Sequence, residues 1–197
     1  EINAFFAGES FQSTTYEIRP HKYDSSLSSP KQALSNDLRD LALASGAYSR
    51  FAVDEDVPRA VYDELFTAWI QNSINRTLAD DVFLAIDKSS GQEIGMITVK
   101  RKQPHLVDIG LLAVSERHRR KGIASALLKY ATLWAFKQLE VNTLSSSSVS
   151  SGRQLISNAC IKVVTQGANE TACRAYEKFG FTVDSTQIVN HVWLPED

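Results

Sequence analysis

Apolar residues recur with two different periods along the chain, and the change of period predicts where strands give way to helices. Three closely spaced apolar runs favour consecutive strands: DVFLAID (81–87), IGMITVKR (94–101) and HLVDIGLLAV (105–114). The segment KSSGQE between the first two is typical of a turn. From Gly122 to about Glu140 the spacing becomes helical, because Ile123, Leu127 and Ala131 fall on one face.

Upstream of these strands, the pattern predicts one strand and two helices. The strand covers 9–20 and ends at Pro20. The first helix covers 28–46, with Ser29 as its cap, Pro30 in its first turn and Gly46 at its end. The second helix covers 57–74.

Downstream, the pattern predicts a strand, a helix and a strand: a buried strand over 160–166, a short helix over 170–179 and a final strand over 181–194. Together these elements predict an α/β fold of packed layers. We expect residues 1–45 to be the end of a truncated N-terminal region and 46–197 to be the main domain. The serine-rich stretch 144–157 has the composition of a linker and is predicted to be a mobile loop.

Composition narrows the classes of function. The chain has 197 residues, 43% hydrophobic and 22% charged, with a net charge of −2. This balance favours a globular domain that binds neither nucleic acid nor a membrane, and we expect a cytoplasmic protein. Two cysteines, Cys160 and Cys173, do not make a disulfide scaffold, and no histidine lies near either one in sequence to activate it as a nucleophile. The scattered histidines do not have metal-ligand spacing, so no metal is expected.

A dense basic turn follows the third predicted strand. Four of the five residues over 117–121 are Arg or Lys, and Gly122 and Ala124 follow at the start of a helix. Unpaired amides at a helix N-terminus, small side chains and positive charge together form a cradle for an anion, most often phosphate. The alternative is a solvated basic turn that only caps the helix.

The surrounding sequence favours the first interpretation. Arg119-x-x-Gly122-x-Ala124, placed between a strand and a helix, resembles the acetyl-CoA pyrophosphate loop of the Gcn5-related N-acetyltransferases (GNAT family). The expected second half of that pattern, VVTQGANETACRAYEKFGF, follows at 163–181. The resemblance implies a central mixed, mostly antiparallel sheet flanked by helices, with a splayed strand pair that binds acetyl-CoA as the cosubstrate.

The resemblance also implies a role for individual residues. Leu112, Ala113 and Val114 would pair with the pantetheine arm through their backbone, and the Val114 N–H would stabilise the thioester oxygen. The pyrophosphate would lie on the loop that runs from the basic turn into the helix: Arg119, Arg120, Lys121, Gly122, Ile123 and Ala124.

Two residues of the second motif complete the implied site. Asn169 would bind the pantetheine arm, with a plain helix cap as the alternative role. Tyr176 would protonate the leaving thiolate, with core packing as the alternative. Seven residues is close to two helical turns, so Asn169 and Tyr176 share a helix face. A phenol with a pKa near 10 suits a thiolate of similar basicity.

A narrower resemblance concerns the acceptor. Ser49-Arg50-Phe51, Trp69 and the Asn72-Ser73 pair are similar to residues of bacterial N-acetyltransferases that act on nucleotide-linked amino sugars such as TDP-fucosamine. It implies acceptor binding by Arg50, Phe51 and Ser73. Arg50 or Arg76 would pair with the nucleotide's phosphates, and the alternative for Arg50 is a surface ion pair with Asp54 or Glu55. A peptide, protein or polyamine amine, or a non-catalytic acyl-CoA-binding module, stays open. A homodimer is also expected.

The general base is not identified by the sequence. The related sugar acetyltransferases take a carboxylate from an upstream strand, and the nearest counterpart here, at Ser13, is not a carboxylate. Glu17 would point the same way only at a period of two. His191 on the final predicted strand could face the acceptor, with a structural histidine as the alternative.

Overall fold

The protein was analysed as a computed structural model, and the structure describes residues 13–24, 32–145 and 160–189. Five strands form one sheet: β1 (Tyr16–Pro20), β2 (Asp81–Asp87), β3 (Glu93–Gln103), β4 (Leu106–Val114) and β5 (Cys160–Val163). Five α-helices pack around it: α1 (Asn36–Ser45), α2 (Arg50–Val53), α3 (Arg59–Ile74), α4 (Ile123–Ser145) and α5 (Glu170–Phe179). One turn of 3₁₀-helix, Glu116–His118, follows β4.

The strands lie in the sheet in their chain order, β1 to β5. The first three pairings are antiparallel and the last, between β4 and β5, is parallel. A parallel neighbour needs a crossover, and the long helix α4 is part of it. The predicted central mixed, mostly antiparallel sheet flanked by helices is therefore confirmed.

Alternation along the central strands gives the sheet two apolar faces, and each face buries its own cluster. One face packs against α4 and α5, with Phe83, Ile97 and Ile109 among the residues that it contributes. The opposite face packs against α1 and α3, with Leu84 and Met96 among its members. Both faces are covered, as in a three-layer α/β arrangement.

The first helix begins later than predicted. Ser35 is its N-cap, its side-chain oxygen accepts a hydrogen bond from the Leu38 N–H, and residues 32–35 are not helical. Gly46 ends the helix as predicted. The predicted cap Ser29 and Pro30 lie outside the described residues. β1 and α1 belong to the same sheet and core as the rest, while a domain boundary at residue 45 stays a prediction.

The C-terminal part differs most from the prediction. β5 ends at Val163, and its side chains alternate between exposed and half-buried, so the expectation of a buried strand was wrong. Cys160 is exposed. Residues 181–189 are not part of the described sheet and are mostly exposed. The predicted final strand is therefore not formed over these residues. His191 lies outside the described residues, as does most of the serine-rich stretch, although α4 extends to Ser145.

Candidate active site

The parallel pairing of β4 and β5 stops halfway along β4. Pairing runs from Leu106 to Ile109, and β5 ends at the partner of Ile109, which is Val163. β4 continues to Val114 with β3 as its only described neighbour. One edge of residues 110–114 is therefore open, and this is the splayed strand pair that the resemblance implied.

Hydrogen bonding to β3 determines which backbone groups face the open edge. The N–H of Ser115 donates to Ile94 O at 2.9 Å, on the β3 side. Successive residues of a strand direct their backbone groups to opposite sides, so Ala113 also faces β3. The N–H groups of Leu112 and Val114 then face the open edge, where an extended ligand can pair with them. Ala113 is unsuited to the backbone role implied for it.

A β-bulge lies where the open edge begins. The register passes from Ile97↔Leu112 to Val99↔Ile109, so two residues of β4 oppose Thr98. The buried Thr98 hydroxyl oxygen accepts a hydrogen bond from the Leu111 N–H at 2.8 Å.

The other bulge residue, Gly110, is exposed, yet a side chain at this position would meet Thr98. A Cβ at position 110 would lie 2.7 Å from Thr98 Oγ1 and 3.9 Å from Trp69 Nε1. Only glycine fits this approach without displacing Thr98. The indole of Trp69 therefore lies beside the bulge, on the α1/α3 face.

The basic turn forms an amide-lined cradle at the end of the same strand. The first hydrogen bond at the start of α4 joins Ala126 N–H to Gly122 O. The amides of residues 123–125 therefore have no partner within the helix. Gly122 and Arg120 both have positive φ, 78° and 61°, which turns the chain sharply before the helix. Such a turn directs amides into a concave anion site.

The side chains of the cradle residues differ in exposure: one is buried in the core, and three are exposed and positively charged. Ile123 is 2% exposed and fixes the helix start to the core, so only its amide can face a ligand. Arg120 and Lys121 are exposed. Arg119 is exposed too, and its Nε lies 3.4 Å from Val114 O, so one side chain connects the open edge to the cradle.

The end of β2 and the turn that follows it lie beside the loop that carries the basic turn. His118 Nε2 lies 3.9 Å from Asp87 Oδ2, while Asp87 Oδ1 accepts hydrogen bonds from the backbone and hydroxyl groups of Ser89 and Ser90. These hydrogen bonds, led by the Ser89 hydroxyl, lower the pKa of Asp87 to about 2. Asp87 therefore stays ionised beside the loop in neutral solution.

Tyr176 lies on α5 in the cluster that also contacts Leu112 and Val114. It is 8% exposed and its ring packs edge-to-face on Phe181, with centroids 5.6 Å apart. Burial raises the pKa of Tyr176 to about 12, with a smaller contribution from Cys173. The phenol is thus protonated at any working pH. Complete transfer of its proton to a thiolate is less favourable than the ordinary value of 10 implies, while hydrogen-bond donation is unaffected.

Asn169 is the N-cap of α5, as predicted. Its Oδ1 accepts a hydrogen bond from Ala172 N–H at 3.2 Å. The side-chain NH₂ group is not used by the cap, so a second role toward a ligand is compatible with this geometry.

The predicted acceptor residues differ in accessibility. Arg50 is exposed and its guanidinium lies 4.8 Å from the ring centroid of Phe51, which packs on the α1/α3 cluster. Ser73 is 1% exposed, and its hydroxyl donates to Trp69 O at 2.9 Å. Ser73 lies on the buried face of α3 and also lines a small pocket with Arg76 and Asp81. Its contact with an acceptor stays a prediction.

Two features of the site were missed at the sequence level. The bulge around Thr98 and Gly110 leaves no trace in hydrophobic periodicity. Asp108 lies within the strand predicted over 105–114, and its Oδ1 is shielded from solvent and has no hydrogen-bond partner among the described residues. A carboxylate within an otherwise apolar strand run was the available signal.

Metal-binding clusters and membrane-spanning helices are absent from the described ranges. No cluster of three or more His, Cys, Asp or Glu residues suited to a metal ion occurs there. No helix among those residues is long and apolar enough to cross a membrane.

The open strand edge followed by an amide cradle indicates an acetyltransferase of the GNAT family. The comparison with family models gives the same class. The family model described as "Acetyltransferase (GNAT) domain" matches residues 79–183, more than half of the chain. The chain belongs to this family. The predicted family, enzyme class and cosubstrate, acetyl-CoA, are confirmed at the level of this domain.

Two curated proteins are similar to the chain. The spore coat polysaccharide biosynthesis protein SpsD of Bacillus subtilis is 29% identical over 154 residues, which is 78% of this chain and 46% of SpsD. The streptothricin acetyltransferase of Escherichia coli is 29% identical over 103 residues, which is 52% of this chain and 49% of that protein. The chain thus spans about half the length of the curated relatives that it matches.

Solved structures share the fold. A putative acetyltransferase from Pyrococcus furiosus matches with a TM-score of 0.57 at 15% identity, over 90% of this chain and 99% of that one. A GNAT family acetyltransferase from Elizabethkingia anophelis with acetyl-CoA bound matches with a TM-score of 0.52 at 17% identity, over 88% of this chain and 80% of that one. At these identities the likeness establishes the fold.

Proposed function

We propose that this protein transfers the acetyl group of acetyl-CoA to the primary amine of a nucleotide-linked amino sugar, by direct attack in a ternary complex. The observation that carries the proposal is the continuity of the site. The open edge at Leu112 and Val114 leads directly into the amide cradle at residues 119–124. An extended arm that ends in a pyrophosphate fits both parts at once.

Each part of the site has a task in this reaction. Acetyl-CoA supplies a thioester whose carbonyl carbon accepts the amine. The Val114 N–H, the candidate from sequence, is a fixed donor for the developing oxyanion, while the Leu112 N–H, about 7 Å further back along the strand, pairs with the pantetheine arm. Arg119, Arg120 and Lys121 neutralise the pyrophosphate. Tyr176 donates a hydrogen bond to the leaving sulfur, and Asn169 binds the arm through its free NH₂ group.

Two observations support a sugar amine as the acceptor. One is that a relative is named for spore coat polysaccharide biosynthesis. The second observation is the exposed Arg50, which is available to pair with a nucleotide phosphate. We further propose a cytoplasmic enzyme and a homodimer.

Thiol release tests the proposal. Wild-type protein is incubated with acetyl-CoA and, separately, a TDP-amino sugar, a polyamine or a lysine peptide, and free thiol is followed with time. Release that depends on the TDP-amino sugar supports the proposal. Release only with the polyamine or peptide keeps the enzyme class and replaces the acceptor. Binding of acetyl-CoA without release in any arm indicates an acyl-CoA-binding module.

A further inference from the structure

His118 is the least exposed residue of the loop that carries the cradle. Of residues 116–122, only His118 is partly buried, and the other six are exposed. Before it, the Ser115 N–H is bonded to Ile94 O, and after it the side chain of Ile123 is buried in the core. The path of the loop between these two fixed points therefore depends on what holds the His118 side chain.

Two polar groups flank the imidazole, one at each ring nitrogen. Nδ1 of His118 lies 3.4 Å from the Ser115 hydroxyl oxygen, and Nε2 lies 3.9 Å from Asp87 Oδ2. Ser115 follows the last residue of β4, while Asp87 is the last residue of β2. These two strands are not neighbours, because β3 lies between them in the sheet. The imidazole thus connects the loop to a strand that the loop does not otherwise follow.

Asp87 is a rigid partner, because its other carboxylate oxygen is fully used. Asp87 Oδ1 accepts hydrogen bonds from the N–H and hydroxyl groups of Ser89 and Ser90. The backbone N–H of Asp87 also donates to Gln92 O at 2.9 Å. The carboxylate cannot rotate without breaking several of these hydrogen bonds, so Oδ2 stays directed toward His118.

The loop needs an outside contact of this kind, because its own charges repel one another. Arg117, Arg119, Arg120 and Lys121 are consecutive apart from His118, and all four are exposed. Arg120 also has a φ of 61°, a conformation that a residue with a side chain disfavours. Without a fixed point between them, these residues favour an open loop whose amides no longer converge. A cradle that is arranged before the anion arrives binds it more tightly, because no ordering is then needed on binding.

We propose that His118, held by Asp87, is a positioning residue that keeps the cradle arranged for the pyrophosphate of acetyl-CoA. This inference rests on the acetyl-CoA part of the proposed function and does not depend on which amine is the acceptor. The imidazole acts through the backbone of the loop. Its fixed position sets where Arg119 begins, and with it the direction of the amides that follow up to the start of α4.

The test compares His118→Ala and His118→Gln with His105→Ala, which removes an exposed histidine just before the opposite end of β4. The Kd is measured for three probes: acetyl-CoA, ADP and acetylpantetheine. ADP has a pyrophosphate without the arm, and acetylpantetheine has the arm and thioester without a pyrophosphate. Calorimetry gives the Kd of acetyl-CoA, and competition against acetyl-CoA gives the two weaker values.

We expect His118→Ala to raise the Kd of acetyl-CoA and of ADP by about tenfold, as for a cradle that is arranged roughly a tenth of the time. The Kd of acetylpantetheine should stay within about twofold of wild type. The amide of His118→Gln can still donate to Asp87 Oδ2, so this variant should recover part of the loss. His105→Ala should match wild type with all three probes.

A double-mutant cycle tests whether His118 and Asp87 act together. Asp87→Asn alone should weaken acetyl-CoA binding, and the double variant should bind no more weakly than His118→Ala, because both changes remove one contact. Melting temperatures are measured for every variant. His118→Gln and Asp87→Asn keep side chains of similar size, so the same cycle can be built with His118→Gln where His118→Ala does not fold.

Three results overturn the proposal. The first is a Kd of acetyl-CoA in His118→Ala within about twofold of wild type. The second is an equal loss for ADP and acetylpantetheine, which indicates general damage to the fold. The third is a cycle in which the two substitutions act independently. If wild-type protein binds acetyl-CoA but releases no thiol with any amine, the proposed transfer fails, while these Kd values still decide the role of His118. If wild type binds no acetyl-CoA, both fail.

Discussion

At the scale of single residues, the site depends on groups whose positions are fixed by local backbone rules. Asn169 is the N-cap of α5, because its side-chain oxygen accepts a hydrogen bond from the Ala172 N–H. Tyr176 is buried at two helical turns from it. Both positions could be predicted from the sequence, because an N-cap and the period of a helix depend only on residues that are close in sequence. The burial of Ser73 was not predictable, because the face that α3 buries is decided by packing against α1 and the sheet.

Tyr176→Phe tests the thiolate donor. The variant keeps the ring packing on Phe181 and loses only the hydroxyl, so we expect kcat to fall by about 10–10² while the Kd of acetyl-CoA stays within about twofold. Because burial raises the pKa of Tyr176 to about 12, the wild-type enzyme should show no alkaline loss of activity from this group below pH 10. Full turnover of the variant would remove Tyr176 from the reaction.

Asn169 is tested by two substitutions that separate its roles. Asn169→Ala removes the cap and should lower the free energy of unfolding by about 1 kcal/mol. Asn169→Asp keeps an oxygen for the Ala172 N–H but removes the NH₂ donor, so it should preserve stability and weaken acetyl-CoA binding. The measurements are urea unfolding and calorimetry. Equal acetyl-CoA affinity in Asn169→Asp and wild type would show that Asn169 is only a cap.

At the scale of elements, the important feature is the point where β4 loses its neighbour. The strands between residues 81 and 114 were predictable, because each alternates against two covered faces. The open edge was not predictable from periodicity alone, since it depends on where β5 ends. The same limit explains why the predicted final strand is not formed over 181–189. Apolar residues such as Val183 and Ile188 are typical of a strand, but they are exposed.

Gly122→Ala tests the cradle, with Gly91→Ala as a matched control. Both glycines have positive φ, 78° and 74°, and open space around the missing Cβ. Each substitution should therefore cost about 1–2 kcal/mol of folding stability. Only Gly122→Ala should also weaken acetyl-CoA binding, by about tenfold, because it shifts amides of the cradle. Equal acetyl-CoA affinity in the two variants would contradict the cradle.

At the scale of the whole molecule, one sheet carries both halves of the site. β1 to β3 support β4, α4 begins at the cradle, and Tyr176 of α5 belongs to the cluster against which Leu112 and Val114 pack. The β2–β3 turn is joined to the cradle loop through Asp87 and His118. Cofactor chemistry was predictable because its motif is local in sequence. The acceptor was less predictable, because a site for it would combine residues that are distant in sequence.

Asp87 links the stability of the molecule to pH. Its pKa is lowered from 3.8 to about 2 in the folded state. The stability that it contributes is thus fully present above pH 3.8 and is lost as the pH falls through about 2. Asp87→Asn should lower the melting temperature at pH 7, with a difference from wild type that shrinks toward pH 2. A difference that is constant from pH 7 to pH 2 would show that the charge is not responsible.

The central claim is that the open edge of β4 and the basic cradle bind acetyl-CoA together. Calorimetric titration of acetyl-CoA into wild type, Arg119→Ala and Arg101→Ala tests it most directly, since Arg101 is an exposed arginine at the far end of β3. We predict saturable 1:1 binding that weakens about 10–100-fold in Arg119→Ala, as expected for a charge-assisted hydrogen bond, and is unchanged in Arg101→Ala. Absence of binding, or equal affinity in all three proteins, would contradict the account.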